Sequence, residues 1–205
     1  MIEVKKYDLP DSRLIDIEAE GNDWIFWPPD RTYLVLGQSN KAEQSFYADR
    51  VIADRIPVYK RPSGGESVIL TPKTLVISVR LIAQQLENPQ VSFRKINNVI
   101  IEGLAGLGVQ NLAYRGISDI CIGEKKILGS SIYRKKNLVF YQAVLNISED
   151  IEMIGKYLRH PSREPSYRMG RDHLEFVTSI HERGFPLSHN EIIISIEGHF
   201  NKNLR

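Results

Sequence analysis

The stretch Val58–Leu81, VYKRPSGGESVILTPKTLVISVRL, is the most informative part of this chain. A short extended run ends in two cations, Lys60 and Arg61, and the chain then turns through Pro62-Ser63-Gly64-Gly65. Adjacent glycines let backbone N–H groups approach a ligand closely and form an anion-binding concavity. Neighbouring cations supply charge for a carboxylate or a phosphate. A hairpin turn with an exposed basic pair would explain the same residues, so the rest of the chain must decide between the two.

The composition is that of an ordinary globular protein. Its 205 residues are enough for one domain with a substantial core. Hydrophobic residues make up 42% of the chain and charged residues 25%, which is typical of soluble globular domains. The net charge of +2 is too small to indicate a nucleic-acid partner. We therefore expect a single domain that does not bind nucleic acid.

The cysteine content and the termini bear on location. Cys121 is the only cysteine, which excludes an intramolecular disulfide framework and a cysteine-based zinc site, and it fits a reducing, cytoplasmic setting. The first ten residues, MIEVKKYDLP, lack the apolar core of a signal peptide. No apolar run approaches the roughly 20 residues that a membrane helix needs. We expect a cytoplasmic protein with no membrane partner.

Hydrophobic patterns predict alternating strands and helices. A short strand at 34–36 is followed by Asn40 and Glu43, which resemble a capping box and predict a helix over 41–54. The β-branched run at 75–79 predicts a strand buried on both faces. Further strands are predicted at 109–114, 117–122, 126–131 and 138–147. This mixture indicates an α+β or α/β domain built on one sheet.

Three further helices are predicted from apolar spacing and end signals. One contains the apolar positions from Phe93 to Leu107, with Gly106 and Gly108 as its C-terminal stops. A second covers 151–158, and Ser188 with Glu191 forms a capping box for the last one. The least regular stretches are 11–31 and 160–173. The second, HPSREPSYRMGRDH, is polar and is either a functional loop or a mobile surface loop.

Several segments, in a fixed order, resemble the biotin/lipoate protein ligase family, in particular its lipoate–protein ligase A-like catalytic domains. Residues 60–65, KRPSGG, resemble the family's Arg-Arg-x-x-Gly-Gly-Gly loop. Residues 123–131, GEKKILGSS, resemble the Lys-x-Ser-Gly-Ser-Ala segment that holds the family's invariant lysine. Residues 176–180, FVTSI, resemble its Arg-Val-Thr-Ser-Leu stretch, and 36–40, LGQSN, more weakly resemble its Gly-Arg-x-Gln-Asn strand end.

This resemblance implies an α+β fold, a mixed β-sheet with flanking helices related to class II aminoacyl-tRNA synthetases. We expect one catalytic domain over 1–205, with an atypical N-terminal segment at 1–33. The family's N-terminal Ala-Leu-Asp-Glu-Ala pattern is absent there. We also expect no C-terminal accessory domain, and therefore a separate accessory subunit as one possible partner.

The resemblance also implies an activity. Family enzymes use ATP and Mg²⁺ to activate lipoate, or a related medium-chain acid, as an acyl-AMP. They then transfer the acyl group to a lysine of a carrier domain, of the E2 or glycine-cleavage H type. Lys126 would be the catalytic lysine, Gly37 and Val76 would line the acyl pocket, and no residue is assigned to a metal. The acyl-adenylate or ATP would be bound by Lys60, Arg61, Ser63, Gly64, Gly65, Gly129, Ser130 and Arg171.

The chain departs from the family pattern at Glu66, Leu70, Leu128, Tyr141 and Gln142. Glu66 replaces the third glycine of the loop, Leu70 and Tyr141 replace histidines, Leu128 replaces a serine and Gln142 a glycine. Two alternatives therefore stay open. One is an octanoyl or lipoyl transferase that takes its acyl group from a carrier. Its nucleophile would be a cysteine thiolate, for which Cys121 is the only candidate, although its strand-like surroundings favour a buried structural thiol. The other is a non-catalytic ligand-binding relative.

Overall fold

The computed structural model describes residues 1–83 and 88–204. Arg205, with which the predicted domain ends, lies outside them. The strands are β1 (Val4–Lys6), β2 (Asp23–Trp27), β3 (Tyr33–Leu36), β4 (Val58–Lys60), β5 (Val68–Leu70), β6 (Thr74–Ile82), β7 (Leu112–Arg115), β8 (Asp119–Ile122), β9 (Lys125–Lys135) and β10 (Leu138–Asn146). The helices are α1 (Ala42–Ser45), α2 (Ala48–Ala53), α3 (Pro89–Gly106), α4 (Ile151–Tyr157), α5 (His173–Phe176) and α6 (His189–Asn203), with 3₁₀ turns at Pro10–Ile15 and Ser166–Arg168.

The strands form two sheets rather than the one sheet predicted from the sequence. The small sheet has the order β1-β4-β3-β5 and is mixed, because β4 runs parallel to β1 and β3 while β5 runs antiparallel to β3. The large sheet has the order β2-β6-β10-β9-β8-β7 and is antiparallel throughout. The predicted strand at 109–114 begins later, at Leu112.

The two sheets lie face to face between two layers of helices. Leu75, Ile77 and Val79 of β6 pack on the side of α3 and α6, whereas Val76 belongs to the apolar cluster between the sheets. The other face of the small sheet packs against α1, α2 and α4. Strand β6 is therefore buried on both faces, as its continuous β-branched run predicted.

The predicted helix over 41–54 is two short helices, α1 and α2. Phe46, between them, is fully buried in an extended conformation and pairs as an isolated β-bridge with Leu158. Burial of this aromatic side chain outweighs continuation of the helix. The predicted capping box at Asn40 is also wrong, because the Asn40 side chain accepts a hydrogen bond from the Gly37 N–H at 3.0 Å instead.

Other local predictions are confirmed. Helix α6 begins with the predicted capping box, in which Ser188 and Glu191 each accept a hydrogen bond from the other's backbone N–H. Helix α3 ends at Gly106, and Gly108 follows with a φ of +87°. Within the described part of the chain, no helix combines the length and the apolar character needed to cross a membrane.

The stretch at 11–31 is more regular than the sequence indicated. It begins in a 3₁₀ turn and then supplies β2, which pairs with β6. Asp11, with no exposed surface, holds the turn against the large sheet. Its carboxylate accepts hydrogen bonds from Tyr7 at 2.7 Å, Ser78 at 2.6 Å and Gln142 at 2.5 Å. These buried hydrogen bonds hold the N-terminal segment in place, although its sequence has no regular apolar pattern that would predict its structure.

Replacing Asp11 with alanine should lower the free energy of unfolding by about 2–4 kcal/mol. The change leaves three buried donors without their common acceptor. Urea unfolding monitored by circular dichroism measures the loss, and Asp11→Asn, which keeps one acceptor oxygen, should lose less. Asp8 is exposed, so Asp8→Ala is the control and should stay within about 0.5 kcal/mol of the wild type. Equal stability of Asp11→Ala and Asp8→Ala would contradict the anchoring role.

Candidate functional site

The position of Lys126 depends on a β-bulge between β8 and β9. Cys121 pairs with Lys126 and Asp119 pairs with Gly129, so β9 has one residue more than β8 between these two pairs. Lys126 and Gly129 would face opposite sides of a regular strand, but the bulge turns them to the same side. Ile127 and Leu128 both face the helix-side core as a result. The bulge therefore allows one strand to bury consecutive apolar residues and still present Lys126 to the other face.

The Lys126 side chain lies along β9, directly over Gly129. A Cβ atom at position 129 would be only 2.6 Å from the Lys126 Nζ atom, so glycine is required for this path. The Nζ atom forms an ion pair with Asp119 Oδ1 at 2.8 Å, and the Lys126 side chain keeps 27% of its surface exposed. The lysine is thus held in one direction while remaining accessible to a ligand.

Tyr167 completes this arrangement from the predicted polar loop. Its hydroxyl donates to Asp119 Oδ2 at 2.8 Å and lies 3.5 Å from the Cys121 sulfur. Burial raises the pKa of the Tyr167 hydroxyl, and the nearby Asp119 carboxylate raises it further. Tyr167 therefore stays protonated and remains a donor. The two oxygens of Asp119 link the loop to the lysine.

Arg61 organises the Gly-Gly loop from within. It is 3% exposed, and its guanidinium donates to the Ser63 hydroxyl at 2.9 Å and to the carbonyls of Gly64 and Glu66, each at 2.8 Å. Burial lowers the pKa of Arg61 to about 10, so the group is still charged at neutral pH. Gly65 has a φ of +85°, which favours glycine. Because Nε and Nη2 already bind the loop, Arg61 shapes the loop rather than extending into solvent.

The Gly-Gly loop reaches β9 through a pair of hydroxyls. The Ser63 and Ser131 oxygens are 3.0 Å apart, and both side chains are buried. Ser131 lies two residues beyond Gly129 on the same face of β9, a distance of about 7 Å. Ser130, the residue predicted from the sequence, lies on the opposite face, and its hydroxyl donates to the Ser118 carbonyl at 2.7 Å. The serine that faces the site is therefore Ser131.

Gly37 lies where the Gly-Gly loop crosses the end of β3. A Cβ atom at this position would be 1.9 Å from the Gly65 carbonyl oxygen and 2.6 Å from Asn40 Oδ1. The loop backbone therefore packs directly against Gly37. Lys60, also predicted to bind the ligand, donates to the Asn40 carbonyl at 3.3 Å. These contacts bring Gly37, Lys60 and the loop into one structural unit.

Val76 lies on the same face of the large sheet as Gly129. Strand register places Gly129, Val144, Val76 and Trp27 side by side on β9, β10, β6 and β2. With neighbouring strands about 4.8 Å apart, Val76 is about 10 Å from Gly129. An apolar row thus leads away from the Lys126 ammonium between the two sheets. Val76 is fully buried, so an acyl chain reaches it only if the side chains above it move apart.

Arg171 is committed to the polar loop in this structure. Its guanidinium donates to the carbonyls of Arg168 at 3.0 Å, Tyr167 at 2.8 Å and Glu124 at 3.3 Å. It also lies over the Phe176 ring, with its Cζ atom 5.3 Å from the ring centroid. The predicted contact of Arg171 with a nucleotide would require these bonds to exchange, and the assignment stays a prediction.

The departures from the family pattern lie on two sides of the large sheet, the side of the helices and the side of the small sheet. Leu128 and Tyr141 face the helix-side core, and the Tyr141 hydroxyl donates to Asn97 at 2.6 Å. Leu70 belongs to the cluster between the sheets, and Gln142 lies next to Ser131 on the same side. Leu128 and Tyr141 therefore cannot touch a ligand above Gly129. The departures that bear on the site are Glu66, Leu70 and Gln142.

Cys121 is a poor nucleophile in this setting. The residue has no exposed surface, and burial raises the pKa of its thiol. A thiolate is the reactive form of cysteine, and a raised pKa makes it scarce at neutral pH.

Within residues 1–83 and 88–204, no group of three or more His, Cys, Asp or Glu side chains is arranged to hold a metal ion.

Sequence reasoning missed Asp119, Tyr167 and Ser131. Asp119 lies within the strand predicted at 117–122, where it has the appearance of an ordinary polar strand residue. Tyr167 is the one large aromatic residue in a polar loop, which was a signal that the loop docks against something. Ser131 was missed because regular alternation of side chains along a strand would place Ser130, and not Ser131, on the same face as Lys126. The sequence does not reveal the bulge that reverses this order.

Comparison with known proteins identifies the family of this chain. Residues 14–201 match the family model described as the lipoyl protein ligase A/B catalytic domain. The chain belongs to this family. Lipoate–protein ligase 1 of Staphylococcus aureus (strain Mu50 / ATCC 700699) is 27% identical to it over 146 residues, 71% of the chain and 43% of that protein. The chain spans less than two thirds of the length of the curated relatives it matches.

Solved structures of lipoate ligases share the fold of this family member. A bipartite lipoate protein ligase from Thermoplasma acidophilum, studied with its E2 lipoyl domain, superposes with a TM-score of 0.80 at 19% identity, covering 100% of this chain and 84% of the other. A lipoate–protein ligase A bound with ATP superposes with a TM-score of 0.77 at 20% identity, and the match again covers 100% of this chain and 84% of the other. The predicted α+β fold of the class II synthetase-like type is confirmed.

Proposed function

We propose that this lipoyl ligase family member activates lipoate, or a related medium-chain acid, as an acyl-AMP and transfers it to a lysine of a carrier domain. The observation that carries the proposal is the placement of Lys126. Its ammonium lies over Gly129, is held by Asp119, and stands at the start of the apolar row that continues through Val144 and Val76. A cation at one end of a row of apolar side chains suits an acid with a hydrocarbon tail.

The first step joins the acid to AMP. A carboxylate is a poor acyl donor, so one of its oxygens attacks the α-phosphorus of ATP, and pyrophosphate leaves with Mg²⁺, which enters as part of the Mg-ATP substrate. Negative charge concentrates on the α-phosphate oxygens as the bond forms. The Lys126 ammonium is preorganised to meet that charge, because its ion pair with Asp119 fixes its direction. Exposed Gly64 and Gly65 offer backbone donors to the same anion.

The second step forms the amide. The neutral amine of the carrier lysine attacks the acyl carbonyl, the C–O bond to AMP breaks and AMP leaves, and the proton lost from the nitrogen passes to water. Charge now develops on the carbonyl oxygen, close to where the α-phosphate lay. Lys126 serves both steps because one ammonium can contact both oxygens without moving far. The same geometry therefore supports activation and transfer.

The comparisons support the substrates and partners of this proposal. The curated relatives are lipoate–protein ligases, and a neighbouring lipoate–protein ligase A was solved with ATP. The bipartite neighbour works with an E2 lipoyl domain, which favours a lipoyl carrier domain as acceptor here. Its two-part construction also favours a separate accessory subunit for the activation step. We place the reaction in the cytoplasm because the single thiol suits a reducing setting.

Mass spectrometry of carrier domains tests the proposal. Candidate lipoyl domains are incubated with the protein, Mg-ATP and either lipoate, octanoate or biotin, and in parallel with preformed lipoyl-AMP. We expect mass gain from lipoyl-AMP with the chain alone, and stronger gain from free lipoate when a companion subunit is present. No mass gain from lipoyl-AMP on any lipoyl domain would contradict the proposal and favour a non-catalytic binding protein.

Replacing Cys121 with serine should leave transfer from lipoyl-AMP within about threefold of the wild type, because the proposed chemistry uses no thiol. The serine hydroxyl remains beside Tyr167, which lies 3.5 Å from the sulfur in the wild type. Initial rates by mass spectrometry give the comparison. A folded Cys121→Ser protein with no transfer, while the wild type accepts carrier-bound octanoate without ATP, would instead establish the transferase.

A further inference from the structure

Glu66 joins three separate segments at the edge of the site. One carboxylate oxygen accepts hydrogen bonds from the Ser162 hydroxyl and the Arg163 backbone N–H, both at 3.0 Å. The other accepts from the Asn40 side-chain amide at 3.3 Å. Asn40 in turn caps the Gly37 N–H at 3.0 Å. This one side chain therefore ties the end of β3, the Gly-Gly loop and the polar loop 160–173 together.

The polar loop has a second anchor at the opposite end of the site. Tyr167 donates to Asp119, which pairs with Lys126. Just beyond the loop, Val177 pairs with Lys126 as a parallel bridge, and the Thr178 N–H donates to the Lys126 carbonyl at 2.9 Å. The loop thus extends from the Gly-Gly loop to the catalytic strand β9. It brackets the space above Gly129 from both sides.

Polar contacts hold the first half of this loop, where apolar contacts are scarce. In the second half, Tyr167 and Arg168 pack against the Phe176 ring. Met169 is 76% exposed, and Ser162 and Arg163 are also exposed. A loop with so little buried apolar surface opens at low free-energy cost unless specific bonds hold it. The contacts to Glu66 tie its first half to the Gly-Gly loop, whereas Glu164 links that half to Arg168 within the loop itself. In the family pattern this position is a glycine, which has no side chain to make them.

We propose that Glu66 is a positioning residue that clamps the loop 160–173 across the acyl-adenylate site. The identity of the ligand in this proposal rests on the proposed function. A clamped loop is ordered before the ligand arrives, so binding does not bear the entropy cost of ordering it. Loss of the clamp should weaken binding of the adenylate and leave the rate constant of the bound complex nearly unchanged. A change in the dissociation constant without a change in the rate constant distinguishes a positioning residue from a catalytic one.

Two measurements on Glu66→Ala test the clamp. Hydrogen–deuterium exchange of the protein without ligand should be about tenfold faster in peptides covering 160–170, since their closed state loses the acceptor for two donors. Calorimetry with the non-reactive analogue lipoyl-sulfamoyl adenosine should give a dissociation constant raised about tenfold. The single-turnover rate constant of transfer at saturating lipoyl-AMP should stay within about twofold.

Matched variants show whether the effects of Glu66→Ala come from the lost hydrogen bonds to the loop. Glu66→Gln keeps an acceptor oxygen for Ser162 and Arg163 and should restore most of the affinity and the slow exchange. Ser162→Ala should have a smaller effect that disappears in the Glu66→Ala background, since the two share one bond. Ser166→Ala is the control, because this exposed serine in the same loop makes no contact with Glu66.

The proposal fails if Glu66→Ala exchanges like the wild type, or if it binds the analogue as tightly or more tightly. Tighter binding would mean that the carboxylate repels the ligand instead of closing the loop over it. A wild-type protein that binds neither the analogue nor ATP would overturn the proposed function. The exchange comparison, which needs no ligand, would still decide whether Glu66 holds the loop.

Discussion

Replacing Lys126 with alanine should lower the rate of acyl transfer from lipoyl-AMP by about 100-fold or more. In the proposed reaction the Lys126 ammonium meets the developing oxyanion, and its ion pair with Asp119 at 2.8 Å fixes the direction of the side chain. The side chain is partly exposed, and Asp119 keeps its bond to Tyr167 after the change, so the fold should remain intact. Single-turnover transfer measures the loss, and thermal unfolding monitored by circular dichroism checks the fold.

Lys125 provides the matched control for this prediction. It is the adjacent lysine on β9 and makes a different contact, from its Nζ atom to the Leu174 carbonyl at 3.1 Å. Lys125→Ala removes the same charge from the same strand and should keep transfer within about threefold of the wild type. Equal losses of transfer rate in the two variants would mean that the total positive charge near the site is important, and not the position of Lys126. Near-normal transfer by folded Lys126→Ala would remove Lys126 from the mechanism.

Replacing Gly37 with alanine should also reduce transfer by about 100-fold, although Gly37 takes no part in the chemistry. The added methyl would lie 1.9 Å from the Gly65 carbonyl oxygen, which is backbone and cannot rotate away. The Gly-Gly loop must shift by more than an ångström, and with it the N–H groups proposed to bind the anion. Such overpacking should also cost about 1–3 kcal/mol of stability. Transfer assays and urea unfolding measure the two effects.

Gly64→Ala is the control for Gly37→Ala. A Cβ atom at position 64 meets no atom within 4 Å, and its φ is not in the left-handed region. We expect its stability to remain within about 0.5 kcal/mol of the wild type, so the loss of stability distinguishes the two variants. If Gly64→Ala were as damaging as Gly37→Ala, the loop would be sensitive to any side chain. The close approach at Gly37 would then not be the cause.

Local sequence signals predicted elements well where a single local interaction decides the outcome. The Ser188–Glu191 capping box at the start of α6 is confirmed because both partners lie within one helical turn. The Asn40–Glu43 pair has the same spacing and did not cap a helix. The Asn40 side chain instead accepts a hydrogen bond from the Gly37 N–H and donates one to Glu66, which is 26 residues away. The sequence cannot show which of two partners such a side chain will take.

The residues of the candidate site also divide into those that local sequence motifs predicted and those that depend on contacts between distant segments. Lys126 and the Gly-Gly loop were found from ordered motifs, since each motif is a short run that can be compared residue by residue. Asp119 and Tyr167 were missed because the bond between them joins residues 48 positions apart. Glu66 was noticed as a departure, but its role as a contact for Ser162 and Arg163 emerged only in three dimensions.

The sequence by itself determined the family, the strands and most helices, because β-branched runs, apolar spacing and glycine loops act over a few residues. The tertiary structure decided which face of β9 carries Lys126. A one-residue bulge against β8 turns Lys126 toward Gly129 and moves Ser131, instead of Ser130, into the site. Side-chain direction alternates along a strand, so a single extra residue reverses it for everything beyond. That bulge is set by pairing between strands, which no pattern within either strand reveals.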